Sequence, residues 1–188
     1  MLFRSLALFR HAYPDIELIL QVAIPLADVK AEESDLEVRY GTGPYPDVEH
    51  VRILSDEVTP VCSAEYLNEF GPFDGFDTIE KVERARLIRS PLDPWSTWFQ
   101  AHGIALPEPR VGAQFNDVGL VLDAAAAGFG VALMRMKLGL SWIDSGRLVR
   151  LSPRTVPSPF HHHLCWKPGT MERWECAAFA DWIKTALS

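Results

Sequence analysis

The apolar positions of this chain fall into short blocks that switch between a helical period and a two-residue period. Leu2, Leu6 and Phe9 recur at i, i+4 and i+7 and predict an opening helix with one apolar face. Arg4, Arg10 and His11 interrupt that stretch, and no small-residue cleavage site precedes Pro14, so it reads as a mature amphipathic helix and not a signal peptide. Asp15–Ala23 (DIELILQVA), bounded by Pro14 and Pro25, predicts a strand, and Leu26–Glu33 a short helix. Asp35–Tyr40 (DLEVRY) alternates apolar and polar residues as a strand and stops at the loop Gly41-Thr42-Gly43-Pro44. Val51–Leu54 and Val58–Cys62 are two further strands, and Ser63 is placed to cap a helix over Ala64–Phe70.

Glu80–Arg84 predicts a short helix, Leu87–Arg89 a brief strand, and Trp95–His102 a helix closed by Gly103. The most informative run is Gln114–Leu133 (QFNDVGLVLDAAAAGFGVAL), which reads as strand end, cap, helix, glycine turn and strand. Asn116 and Asp117 carry short polar side chains suited to free N–H groups at a helix start, and Gly128 stands where a left-handed residue ends the helix. Met136–Ile143 predicts a helix ended by Ser145-Gly146, and Leu148–Leu151 a strand. Arg154–Pro159 reads as a proline-rich connection, and His161–Trp166 as a strand. Glu172–Leu187 is a closing helix with Trp174, Ala178, Trp182 and Ala186 at i, i+4 intervals. Alternating strands and helices imply an α/β fold. Crossings around Asp56–Pro60 and Ser152–Pro159 would divide the chain into a discontinuous first lobe, 1–56 plus 154–188, and a second lobe, 57–153.

Composition narrows the function. The 188 residues are 48% hydrophobic and 23% charged, as in a soluble globular protein, and no apolar run is long enough for a bilayer. A net charge of −7 argues against this chain gripping a nucleic-acid backbone itself. Cys62, Cys165 and Cys176 are odd in number and widely spaced, so they imply neither a zinc site nor a disulfide framework; Cys62 reads as a small buried residue and the compartment as cytoplasmic.

No GxSxG, HExxH, P-loop or GxGxxG occurs, and Asp93, Ser96 and His102 do not have triad spacing. His161, His163 and Cys165 would share one face of a strand and so present three ligands to zinc or copper. The competing reading, an ordinary surface or edge strand, is favoured because no second ligand cluster is apparent. No metal and no cofactor is therefore expected.

The strings DLEVRYGTGPYPDVEHVRILSDEVTPVCSAEYL, WSTWFQAHGI, FNDVGLVLDAAAAGFGVAL and SGRLVRL, followed by the closing helix, resemble the effector-binding domain of LysR-type transcriptional regulators. The resemblance covers nearly the whole chain and is nearest to the branch containing regulators of glycine-cleavage and β-lactamase genes. It implies a type II periplasmic-binding-protein-like fold: two α/β lobes joined by two crossover strands, with a cleft for a small-molecule effector. It implies a homodimer or higher homo-oligomer, to which the apolar face of the first helix would contribute beside its packing within the domain. DNA would be bound through a winged helix-turn-helix that this sequence does not contain.

Two departures from the family stand out. The chain opens directly in a helix, without the first strand and its polar turn, so it reads as truncated. Val22-Ala23-Ile24-Pro25 stands where small polar residues are usual. Effector contacts are expected from Tyr40 and Gly41, from Ser63, and from Phe115, Asn116 and Asp117. Core packing of Tyr40 and simple capping by Asn116 and Asp117 are equally open readings. Arg39 is a candidate counter-ion for a carboxylate, although alternation points it away from the face of Tyr40. The expected function is thus effector sensing for a transcriptional regulator, not catalysis. The alternatives are a stand-alone solute-binding protein and a small metal-dependent enzyme built on the His/Cys strand.

Overall fold

A computed structural model describes residues 2–21 and 34–187, with side chains from residue 6 onward. The predicted helix Leu26–Glu33 and the segment Val22–Pro25 lie outside the described residues. The chain divides into two compact units, Met1–Ser55 with Phe160–Ser188, and Asp56–Pro159. Two long strands, β2 (Glu49–Cys62) and β5 (Val156–Trp166), each contribute residues to both units.

In the first unit, α1 (Leu2–Ala12) forms as its periodicity predicts. Leu6 and Phe9 are buried. Phe9 meets Phe179 edge-on at 5.1 Å and Trp182 at 5.0 Å, both on the closing helix α7 (Trp174–Leu187). Part of the apolar face expected at an interface is therefore spent inside the unit. On α7 the buried stripe is Cys176, Ala180, Ile183 and Leu187, not the predicted Trp174, Ala178, Trp182 and Ala186; Trp174 is 62% exposed. The two stripes lie on different sides of the helix, and the sheet selects the one that meets Ile53 and Leu164.

Strand β1 (Glu37–Gly41) runs antiparallel to β5, with Tyr40 opposite His162 and Arg39 opposite His163. Residues 15–21 of the predicted strand Asp15–Ala23 form a turn and irregular chain instead. Ile19 and Leu20 are exposed, and a strand propensity with no hydrogen-bonded neighbour among the described residues does not make a strand.

In the second unit β2 pairs antiparallel with β3 (Ala132–Arg135), Val58 opposite Arg135, and with β4 (Val149–Arg150). The sheet order is β1-β5-β2-β3, with β4 also on β2. The two strands predicted at Val51–Leu54 and Val58–Cys62 are one continuous strand, because Ser55–Glu57 does not break the ladder. The predicted connection Arg154–Pro159 is mostly the start of β5. Val156 and Ser158 are buried and Pro157 and Pro159 exposed, so both missing N–H groups fall on one edge of the strand.

Leu87 bridges Val131 and Arg89 bridges Gln114, both in parallel. The run from Gln114 through α5 (Val118–Ala126) to Val131 is therefore a βαβ-type crossover whose two ends bridge in parallel to the short segment Leu87–Arg89. Small residues let α5 approach: Ala124 and Ala125 pack with Ala132 and Met134. Gly130 has φ +154° and a Cβ there would lie 2.0 Å from the Arg86 carbonyl oxygen, so only glycine fits.

The other core of this unit is aromatic, built on α2 (Ala64–Phe70), α3 (Ile79–Arg84) and α4 (Trp95–Ala101). Its polar edges are satisfied: Trp95 Nε1 donates to the Ile88 carbonyl at 2.9 Å, and Trp98 Nε1 to the Phe76 carbonyl at 2.7 Å.

Candidate functional site

Three parallel segments of the second unit end side by side. Arg89 N donates to the Ala113 carbonyl at 2.9 Å, Phe115 N to the Arg89 carbonyl at 3.0 Å, and Ile88 N to the Val131 carbonyl at 2.8 Å. The chain then leaves each segment by a polar turn: Ser90 after the first, Asn116 and Asp117 after the second, and Arg135 into α6 (Met136–Asp144) after the third. The carboxyl ends of parallel strands are where α/β sheets present backbone N–H groups and short polar side chains to small ligands.

Each turn is stiffened by a local or long-range contact. Ser90 Oγ accepts from Leu92 N at 3.2 Å. Asp117 Oδ1 accepts from Leu120 N at 2.9 Å and caps α5, while Asn116 beside it is exposed. Arg135 is held by Asp93: Nε donates to both carboxylate oxygens at 2.9 Å and Nη2 lies 2.8 Å from Oδ2. Both side chains are at most 5% exposed. Asp56 is also buried and accepts from Lys137 N at 2.9 Å and 3.1 Å, so a carboxylate from a distant segment caps α6.

The sequence-predicted residues do not form one group. Phe115, Asn116 and Asp117 sit together at the start of α5, with Phe115 half-buried against the α5–β3 core. Ser63 lies at the other end of that helix. A Cβ at Gly128 would stand 3.9 Å from Ser63 Oγ, and nine helical residues at about 1.5 Å each separate Gly128's end from Asp117's by roughly 13 Å. Ser63 is buried, and its Oγ accepts from Tyr66 N at 3.1 Å. It is a cap for α2 and not a companion of Asn116.

Tyr40 and Gly41 belong to the first unit. The Tyr40 ring lies 4.7 Å from His162 and 5.6 Å from Phe160, half-buried. Gly41 leaves room for Tyr45, whose hydroxyl would be 2.7 Å from any Cβ at position 41. Arg39 is committed to Glu37 (2.8 Å) and Asp47 (3.4 Å), which removes it as a ready counter-ion for a carboxylate ligand.

His161, His163 and Cys165 share one face, opposite Gly41, Arg39 and Glu37. Among the described residues no group of three or more His, Cys, Asp or Glu is placed to hold a metal ion. Cys165 and His163 are buried side by side, the thiol contacting the His163 carbonyl at 3.8 Å. Asp93 is taken by Arg135, and His102 stacks on Trp98 at 4.0 Å with Nδ1 3.0 Å from that residue's carbonyl oxygen.

The contacts that sequence reasoning missed are Asp56, Asp93, Arg135 and Glu108. Glu108 caps α4, its two oxygens accepting from Trp95 N (3.1 Å) and Ser96 N (2.7 Å), because Pro94 carries no capping group. No local pattern marks these residues; each is paired across a long stretch of chain. Two concavities of this unit avoid the predicted residues. One, beside Val58, Asp93 and Ser158, leaves no room for a water; the other, an open depression of ≈ 380 Å³, is bounded by Asp74, Gly75 and Arg150–Pro153.

The chain resembles known regulators along its length. It is 28% identical over 179 residues to the glycine cleavage system transcriptional activator of Escherichia coli (strain K12), covering 95% of this chain and 58% of that protein. It is 27% identical over 183 residues to the HTH-type transcriptional activator AmpR of Rhodobacter capsulatus, covering 97% and 61%. The chain thus spans about 60% of the length of these relatives. The AmpR effector-binding domain from Citrobacter freundii superposes with a TM-score of 0.83 at 26% identity, covering 99% of this chain and 90% of that one. The effector domain of AmpR of Pseudomonas aeruginosa matches in fold, with a TM-score of 0.84 at 24% identity over 99% and 88% of the two chains. The fold is α/β, of the type II periplasmic-binding-protein-like kind. The LysR substrate binding domain family matches residues 1–188, and the chain belongs to that family.

Proposed function

We propose that this chain senses a small-molecule effector on behalf of a DNA-binding transcriptional regulator and is not an enzyme. The observation that carries the reading is the convergence of polar turns at three parallel segment ends of the second unit, with exposed Asn116 at the start of α5. The N-terminus of that helix favours an anionic group such as a carboxylate, since free N–H groups and the helix dipole both point there. Phe115, Asn116 and Asp117 are the proposed contacts in the second unit, and Tyr40 and Gly41 in the first. Ser63 is left out because its hydroxyl is buried as a cap elsewhere. The commitment of Asp93 to Arg135 supports a non-catalytic role.

The proposed mechanism is a population shift: the effector stabilises one arrangement of a homodimer or higher homo-oligomer over another, and a winged helix-turn-helix outside this chain reads the difference on DNA. The working compartment is the cytoplasm. Among the described residues no helix is long and apolar enough to cross a membrane.

The test is differential scanning fluorimetry of the chain against amino acids and other small carboxylates, followed by titration calorimetry. A ligand that raises the midpoint of the native chain and loses most of its affinity in Asn116→Ala supports the reading. Full retention of affinity in that variant, or no stabilisation by any member of the panel, removes it.

A further inference from the structure

The polar side of the first unit's strands carries a ring cluster that the effector reading does not use. Tyr45, His50 and His163 meet pairwise edge-to-face, with centroids 5.5 Å apart for Tyr45–His50, 5.4 Å for Tyr45–His163 and 5.5 Å for His50–His163. His50 comes from β2, His163 from β5, and Tyr45 from the turn that follows β1. The turn is pressed onto the cluster at two glycines. A Cβ at Gly41 would collide with the Tyr45 hydroxyl, and one at Gly43 would lie 3.8 Å from His163 Cε1 and Nε2. One hydrogen bond ties the turn to the cluster directly: Tyr45 N donates to His50 Nε2 at 3.5 Å.

This arrangement needs neutral imidazoles. His50 Nε2 accepts the hydrogen bond from the Tyr45 N–H through its ring lone pair, so the bond needs an Nε2 that carries no hydrogen. A charge on His163, which is 6% exposed, would be stranded in poor solvent. Among the described residues, the groups facing it are mostly cationic or neutral. Arg39 stands opposite on β1 with its charge shared by Glu37 and Asp47; Arg52 and His50 stand on β2; His161 and Cys165 flank it on β5; and Tyr45 lies across it, with Arg39 over the Tyr45 ring at 5.3 Å. Among the described residues, the carboxylates of Glu37 and Asp47 beside this cluster are both paired with Arg39.

We propose that Tyr45, His50 and His163 form an acid-sensitive latch that holds the 41–48 turn closed at neutral pH and releases it on mild acidification. The titration runs in the same direction: burial, and then His50, push the His163 imidazole below its ordinary value, with a smaller opposing contribution from the His161 backbone. The sign follows. Above about 6.5 the open and closed turns bind the same number of protons and the latch is unpenalised. Below that value the open turn takes up a proton on His163 that the closed one excludes, so closure weakens as pH falls. Because Tyr40 and Gly41 enter this turn, its release would also loosen the first unit's proposed effector contacts; only that consequence rests on the effector reading.

The latch is tested without any effector. Amide hydrogen exchange of residues 41–48 is followed at pH 7.5 and pH 5.5 and corrected for intrinsic rates, with residues 64–70 as an internal reference. The expected result is several-fold loss of protection in 41–48 at the lower pH, with the reference unchanged. His163→Phe keeps a ring but cannot be protonated, and it should reduce the pH response. Equal protection at both pH values in the native chain overturns the proposal even if the variant does not fold, and so does an undiminished pH response in a folded His163→Phe. Retention of the latch with no effector binding would sink the effector reading alone.

Discussion

Asp93 and Arg135, 42 residues apart, form a buried ion pair in which Arg135 Nε is equidistant from both carboxylate oxygens, at 2.9 Å each. The pair joins the turn before α4 to the start of α6 and stiffens the strand-end edge that carries Asn116. Removing one partner leaves a charge in a site with no solvent, at a cost of about 3–5 kcal/mol. Asp93→Ala or Arg135→Ala is expected to lower unfolding free energy by that order in urea titrations. A joint Asp93→Leu, Arg135→Met replacement should recover much of the loss, because two apolar residues strand no charge. A double variant as unstable as the sum of the singles would contradict this account.

Capping and ligand contact can be separated at two positions that look alike in sequence. Ser63→Ala removes the α2 cap and should cost about 0.5–2 kcal/mol while leaving effector affinity unchanged. Asn116→Ala should do the reverse, with stability within about 0.5 kcal/mol of native and affinity reduced several-fold, as for one lost hydrogen bond of roughly 0.5–1.5 kcal/mol. Thermal midpoints with and without ligand measure both effects in one experiment. Matching behaviour of the two variants would show that the assignment is wrong.

Asp56 tests the long-range cap of α6. Asp56→Ala is expected to destabilise by about 1–2 kcal/mol, since it leaves the Lys137 N–H without its acceptor at a helix start. Asp56→Asn retains an acceptor oxygen and should cost less. Equal losses in the two variants, read by guanidinium unfolding, would mean that hydrogen bonding at Lys137 is not the source.

The three cysteines are free and buried, and burial pushes the Cys62 thiol up to about 12. The nucleophile in thiol chemistry is the thiolate, so native Cys62 should resist a disulfide reagent at pH 8 and react only after unfolding. Fast stoichiometric labelling of Cys62 in the native protein, located by peptide mass mapping, would refute its burial.

Gly130→Ala places a methyl group against the Arg86 carbonyl at a φ that L residues rarely adopt. The expected loss exceeds about 1 kcal/mol, because both the clash and the backbone strain oppose it. Gly146→Ala, with φ +72° but nothing within 4 Å, should cost less. The difference between the two isolates the close approach of the Leu87 segment to β3.

What could be read from residue order alone was whatever depends on neighbours three or four positions away. Ser63 caps α2 and Asp117 caps α5 as expected, because a short side chain reaches an N–H three residues on. Gly128 takes a left-handed φ of +80° just past α5, for equally local steric reasons. The alternation in Asp35–Tyr40 sufficed for β1, and the ordered strings sufficed for the family. Residues 15–21 showed the limit: they have strand-forming side chains, but no ladder partner among the described residues.

Folding settled everything that requires distant segments to meet. Asp56 reaches Lys137 across 81 residues, Asp93 reaches Arg135 across 42, and no periodicity announces either pairing. The sheet chose which stripe of α7 to bury, and chain closure put Ser63 and Asn116 at opposite ends of one helix. A cap is satisfied within its own turn of helix, so sequence specifies it; a buried carboxylate or a ring cluster exists only once separate strands have been brought into register.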